Sequence, residues 1–161
     1  MGQEFAQGRE WNFDAELDWP QLSLPAHRGV QSVVRDCNHA YRAQRALHER
    51  DCEEDGFRWI EVGDRDRSVF AWLRLGGDGA RPVVAVLNFT PVPREHYRIG
   101  MPLPGRWREI LNTDAAIYGG TDRGNAGTVL AHSGESHGYP NHASLMLPPL
   151  AALWLVHDGG A

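Results

Sequence analysis

FRWIEVGDRDRSVFAWLRLGGDGARPVVAVLNF, Phe57 to Phe89, is the stretch whose reading decides the fold. Phe57, Trp59, Ile60 and Val62 make a short strand, Gly63-Asp64 and Arg65-Asp66 turn the chain, and Val69 to Leu75 returns with Val69, Ala71 and Leu73 on one face. Side chains alternate between the two faces of a strand, so two such runs around a turn predict a β-hairpin. Gly76-Gly77-Asp78-Gly79 closes the second strand. The next run, Val83 to Phe89, is nearly all apolar, which suits a strand covered on both faces and predicts a central place in the sheet.

Toward the carboxyl end, Pro91, Pro93, Pro102 and Pro104 punctuate two further short strands, Tyr97 to Met101 and Trp107 to Leu111. A glycine-rich loop, Gly119 to Gly127, precedes strands at Thr128 to Ala131, Ala143 to Leu147 and Ala151 to Val156. Short strands recurring at roughly ten-residue spacing predict a mainly β fold, an antiparallel β-sandwich or barrel. His132, His137 and His142 stand five residues apart, a step that shares a face on neither a helix nor a strand, and the glycine and proline between them predict an irregular loop. No metal site follows from them. The glycine-rich loop has neither the lysine nor the following helix of a phosphate cradle.

Toward the amino end, Asp55-Gly56 marks a turn, and the code before it is helical. Val30, Val33, Val34, Cys37, Tyr41 and Leu47 recur at three- and four-residue steps between charged residues, predicting one amphipathic helix over Arg28 to Asp51. Met1 to Ala26 has no sustained period and reads as a long irregular loop carrying Phe5, Trp11 and Trp19. A loop of that length inside a compact domain points to function or to a larger frame.

At 161 residues the chain is too short for a complete (β/α)8 barrel of about 250 residues. A formal net charge of −5 leaves no basic face for nucleic acid. Cys37 and Cys52 are the only cysteines, no apolar run reaches the ~18 residues of a membrane span, and Gln3, Glu4, Gln7, Arg9 and Glu10 interrupt any leader-like start. The cytoplasm is the expected compartment, and no cofactor is expected. Cys37 reads as a small core residue and Cys52 as a surface thiol.

Several uncommon strings then occur in a fixed order: MGQEFAQGREWNFDAELDW (Met1 to Trp19), VVRDCNHAYR (Val33 to Arg42), NFTPVPREHYRIG (Asn88 to Gly100), GRWREILNTD (Gly105 to Asp114) and LPPLAALWLV (Leu147 to Val156). Together they resemble the end of a bacterial glycogen branching enzyme, a 1,4-α-glucan branching enzyme of the α-amylase superfamily. The resemblance implies a (β/α)8 catalytic barrel followed by an all-β domain. Residues 1–52 would be the terminal loop and last helix of the barrel, with Met1 to Phe5 ending its last strand, and residues 53–161 the β-domain.

The implied chemistry is transfer of a cut α-1,4 chain, held covalently on an aspartate, to a glucose 6-hydroxyl, with a glutamate as acid and base. Nothing in this chain matches the motifs that carry those carboxylates, so no catalytic residue is assigned and the chain alone is expected to be inactive. A retaining site needs two carboxyl groups about 5–5.5 Å apart on a rigid frame. Loops after barrel strands line the active-site face, so Glu4, Arg9, Glu10, Trp11 and Asn12 would border the glucan cleft. The implied partners are an α-glucan and an upstream barrel, with no nucleic acid and no membrane. Two alternatives stay open: a non-catalytic glucan-binding or interaction module with Trp59, Trp72 and Trp107 as sugar platforms, or the tail of a trehalose-releasing or debranching enzyme.

Overall fold

The computed structural model describes residues 1–159. One helix, α1 (Pro25–Ala43), precedes eight strands. These are β1 (Phe57–Asp64), β2 (Val69–Arg74), β3 (Val83–Asn88), β4 (Arg94–Met101), β5 (Gly105–Asn112), β6 (Thr128–Ser136), β7 (Tyr139–Leu147) and β8 (Ala151–His157). They form one antiparallel sheet in the order β1-β2-β3-β8-β5-β6-β7-β4.

The sheet curls at β6. Its first half, Thr128 to Ala131, pairs with β5, and from His132 onward it pairs with β7. The strands β7 and β4 are thereby carried back over β1, β2, β3 and β8 as the second layer of a sandwich. Between the layers, Val69, Ala71 and Leu73 of β2, Val84 and Val86 of β3, and Leu153 and Leu155 of β8 meet Ile99 and Met101 of β4 and Ala143, Leu145 and Leu147 of β7. Trp107 is fully enclosed among them. Each large aliphatic so enclosed contributes roughly 1.5–3 kcal/mol. The expected central strand is central: β3 lies between β2 and β8, with Val84 and Val86 facing the core and Val83 covered from outside.

Three expectations are corrected. The helix runs from Pro25 to Ala43 and not to Asp51. Gln44 leaves helical geometry (φ −105, ψ 103), and the chain turns so that Ala46 and Leu47 seal the outer face of the sheet against Val83 and Val156. Leu47 thus keeps its apolar role through docking, not through helical spacing. Residues 132–142 are no irregular loop but a tight hairpin in which Ser136 faces Tyr139 and His132 faces His142. His137 and Gly138 both have positive φ (52 and 73), as a two-residue type I′ turn requires, so His-Gly takes the part of the usual Asn-Gly. The start of the chain is a single 3-10 turn, Gln3–Phe5, where a strand end is implied; Gly2 (φ 86) and Ala6 (φ 53) bracket it in left-handed geometry.

α1 lies against the loop between β5 and β6. Gly29 is its one fully buried residue, and a Cβ there would stand 2.2 Å from the Tyr118 carbonyl oxygen. Next to this approach, the Tyr118 hydroxyl donates to Asp36 Oδ2 at 2.8 Å. Burial and that bond push the phenol up to about 12. The Arg35 guanidinium bonded to Asp36 holds that carboxyl below its usual range. Cys37 is half-buried and its thiol is pushed up by burial, as suits a packing residue.

Candidate functional site

The segment ahead of α1 is pinned at one aromatic and two amides. Phe5 is 1% exposed, stacked obliquely on Trp19 at 5.3 Å, and His27 Nδ1 donates to its carbonyl at 2.9 Å. Gln7 Oε1 accepts from Asp18 N at 2.8 Å while Gln7 Nε2 donates to Arg9 O at 3.1 Å. Gln21 accepts from Gly8 N and donates to Asp18 Oδ2. These bonds close the chain into a loop whose outer limb is Arg9 to Asn12.

On that limb Arg9, Glu10, Trp11 and Asn12 are exposed, Trp11 by 52%. All four line one small hollow of about 130 Å³ together with Gln7 and Glu16. Arg9, Glu10 and Trp11 also form one wall of a neighbouring hollow of about 410 Å³ that reaches Gly2 and Gln3. Glu4 lines neither: its carboxylate accepts from Gly2 N at 3.1 Å. The structure therefore gathers four of the five expected residues and sets Glu4 apart. An indole face beside a guanidinium, a carboxylate and an amide can stack on a sugar ring and bond its hydroxyls.

A larger concavity lies elsewhere, where the edge strands β1 and β4 approach each other. It measures about 820 Å³, and its floor holds Glu61, Asp64, Tyr97 and His137. Burial, reinforced by the Asp64 hydrogen bond, raises the Tyr97 phenol far above its ordinary range, so it stays a donor. No local pattern signals this cleft. Glu61 and His137 meet across 76 residues, and only closure of the sheet brings them together. Among the described residues, no group of three or more His, Cys, Asp or Glu side chains is arranged around a metal position.

Residues 59–158 match the family described as alpha amylase, C-terminal all-beta domain. The chain belongs to that family. This alpha-amylase C-terminal domain also has close curated relatives, each named 1,4-alpha-glucan branching enzyme GlgB. The Burkholderia cenocepacia protein is 58% identical over 97% of this chain, the Burkholderia vietnamiensis protein 55% over 97%, and the Cupriavidus necator protein 54% over 99%. The chain spans about a fifth of the length of these relatives, 21% in each case. It is homologous to the carboxyl-terminal part of those enzymes. The similarity extends ahead of the all-β domain, into the helix and the loop that carries Arg9 to Asn12, because it covers nearly the whole chain.

Proposed function

We propose that this chain is the carboxyl-terminal part of a 1,4-α-glucan branching enzyme of the cytoplasm, with residues 1–52 closing a catalytic (β/α)8 barrel and residues 53–161 forming the appended β-domain. The observation that carries this is an alignment, at 53–58% identity overall and spanning both parts of the chain, to proteins bearing that name. In this reading Arg9, Glu10, Trp11 and Asn12 border the glucan cleft, and the catalytic carboxylates belong to the barrel. Glu4, tied to Gly2 N, acts by shaping the loop. The exposed Met1, Trp11, Phe13, Trp19 and Leu24 would be the side chains that the barrel covers.

The test is an assay on amylose of the enzyme containing this chain, beside the 161-residue chain alone. Branching lowers iodine staining without releasing reducing sugar. The longer protein should do this and the chain alone should not; release of trehalose or reducing ends would point to the other superfamily activities.

A second reading, that the β-domain itself holds glucan, is favoured by the outer face of β1 and β2. Trp59 is 51% exposed and held upright by edge contacts with Phe57 at 5.0 Å and Trp72 at 6.0 Å. Trp107, by contrast, is core and drops out as a platform. A native gel containing glycogen tests this: Trp59→Ala should abolish most retardation, and a chain that is never retarded removes the reading.

A further inference from the structure

We propose that the seam between β1 and β4 is a separate binding site for a neutral polyhydroxylated chain, an α-glucan strand; this rests on the reading of the protein as part of a glucan-processing enzyme. The seam exists because β1 and β4 are the two ends of the curled sheet, brought side by side without pairing. Its volume of about 820 Å³ falls within the roughly 300–1,000 Å³ of small-ligand sites.

The floor is built and already satisfied. His137 Nδ1 accepts from Gly100 N at 3.2 Å, which leaves Nε2–H to donate to Glu61 Oε2 at 3.0 Å. Glu61 Oε1 accepts the amides of Gly63 and Asp64. Tyr97 OH donates to Asp64 Oδ2 at 2.8 Å. These bonds lock the β1–β2 turn, β4 and the β6–β7 turn to one another and use up the floor carboxylates, so an incoming ligand meets a fixed surface.

Other groups are only partly used. Arg94 Nε is buried beneath the cleft with no acceptor, the one such side-chain atom among the described residues. Arg98 spends one N–H on Glu135 O, and Arg67 lies over the Tyr97 ring at 5.8 Å with its Nη1 3.8 Å from Asp64 Oδ2. Among the described residues the side chains of Glu95 and His96 make no hydrogen bond, so the rim offers free acceptors beside free donors. Ser68 and His96, two of seven non-glycine residues at positive φ, stand on the segments around the cleft, a strain that functional constraint can maintain.

The lining also selects the ligand class. Four carboxylates against three guanidinium groups leave no positive field for a phosphate or a nucleic acid. The rings on the floor are that of buried Tyr97 and the imidazole of His137, the latter tied edge-on by hydrogen bonds to Gly100 N and Glu61, so a lipid or an aromatic ligand finds no open apolar face. Interleaved donors and acceptors suit hydroxyl groups, each of which both gives and takes a hydrogen bond.

Calorimetric titration of the full chain with maltoheptaose tests the site, using Trp59→Ala protein so that the outer aromatic face does not contribute. That protein should still bind maltoheptaose and give no heat with cellohexaose or inorganic phosphate. Adding Arg98→Ala and Glu95→Ala, both exposed, should weaken binding about tenfold with an unchanged thermal midpoint. His96→Asn, which tolerates the left-handed backbone, should weaken it as well. Loss of all binding on Trp59→Ala alone, unchanged binding in the rim variants, or heat from phosphate alone overturns the site. Branching by the longer enzyme is scored separately, so the cleft can fail while that activity stands.

Discussion

Two tryptophans mark the difference between the front of this chain and its β-domain. Trp107 is completely buried between the two layers, and its indole N–H donates to Leu103 O at 3.1 Å. Trp11 projects from a loop with half its surface open. The β-domain closes its own core from its own strands, whereas the front, from Met1 to Ala43, buries only Gly2, Phe5 and Gly29, leaving five large apolar side chains from Met1 to Leu24 exposed. One part is self-sufficient, and the other is organised to meet something else. Removing side chains should therefore have opposite consequences in the two parts.

The largest effect belongs to Trp107→Ala, which should cost roughly 3–5 kcal/mol of unfolding free energy by urea denaturation, through a cavity and a lost hydrogen bond. A cost under about 1 kcal/mol would mean the domain core is not the closed unit described. Gly29→Val addresses the joint between the parts. Its side chain would run into the Tyr118 carbonyl, and overpacking of this kind costs about 1–3 kcal/mol. The helix should come away from the β5–β6 loop. Limited proteolysis should then remove the loop and helix ahead of Gln44 and spare the rest, in which Ala46 and Leu47 stay docked on Val83 and Val156, with the β-domain transition unmoved.

Asp114→Asn should lower stability by about 1.5 kcal/mol. Asp114 is buried, and burial alone would raise its carboxyl; the Thr121 hydroxyl and the amides of Thr121 and Arg123 outweigh this and hold it below the ordinary value. A carboxyl depressed in the folded state stabilises fully above its unfolded pKa of about 3.9 and loses that contribution as pH falls through the folded value. Acid denaturation of wild type should therefore contain a component below about pH 4 that the variant lacks, read from stability against pH.

The strands were legible because burial imposes a period: Val69, Ala71 and Leu73 alternate in sequence and all three are buried. The helix end was not, since nothing local distinguishes Leu47 on a helix from Leu47 tucked under β3; the docking of Ala46 and Leu47 decides it. The β6–β7 hairpin was hidden because a histidine holds a left-handed turn position that asparagine usually fills. The front loop was legible as irregular, but sequence placed Glu4 with Arg9 to Asn12 where a two-residue hydrogen bond draws it aside. The seam cleft lay beyond reach because its bonds join residues 33 and 76 apart.

Tyr118→Phe removes the bond to Asp36 while keeping the ring, and should cost about 0.5–1.5 kcal/mol. The pH dependence is the sharper readout. A phenol raised to about 12 from its ordinary value of about 10 contributes stability that is whole below pH 10 and is lost as pH rises toward 12. Wild type should become more protease-sensitive between Ser32 and Glu53 across that window. The phenylalanine variant should show no such alkaline step, and a step that persists would assign it to another group.

Trp11→Ala should have the smallest effect on stability, within about 0.5 kcal/mol, because its ring stacks on no other ring and half its surface already faces water. In the enzyme that contains this chain, the same substitution should lower kcat/KM on amylose about tenfold, equivalent to about 1.4 kcal/mol of lost transition-state binding. Trp107→Ala would reduce activity only as far as it reduces the folded fraction, so normalising to folded protein separates the two tryptophans. If Trp11→Ala instead destabilises the protein by 2 kcal/mol or more and leaves the normalised kcat/KM unchanged, then the ring is a packing element against the barrel, and Arg9, Glu10 and Asn12 lose the stacking partner that makes their hollow a sugar site.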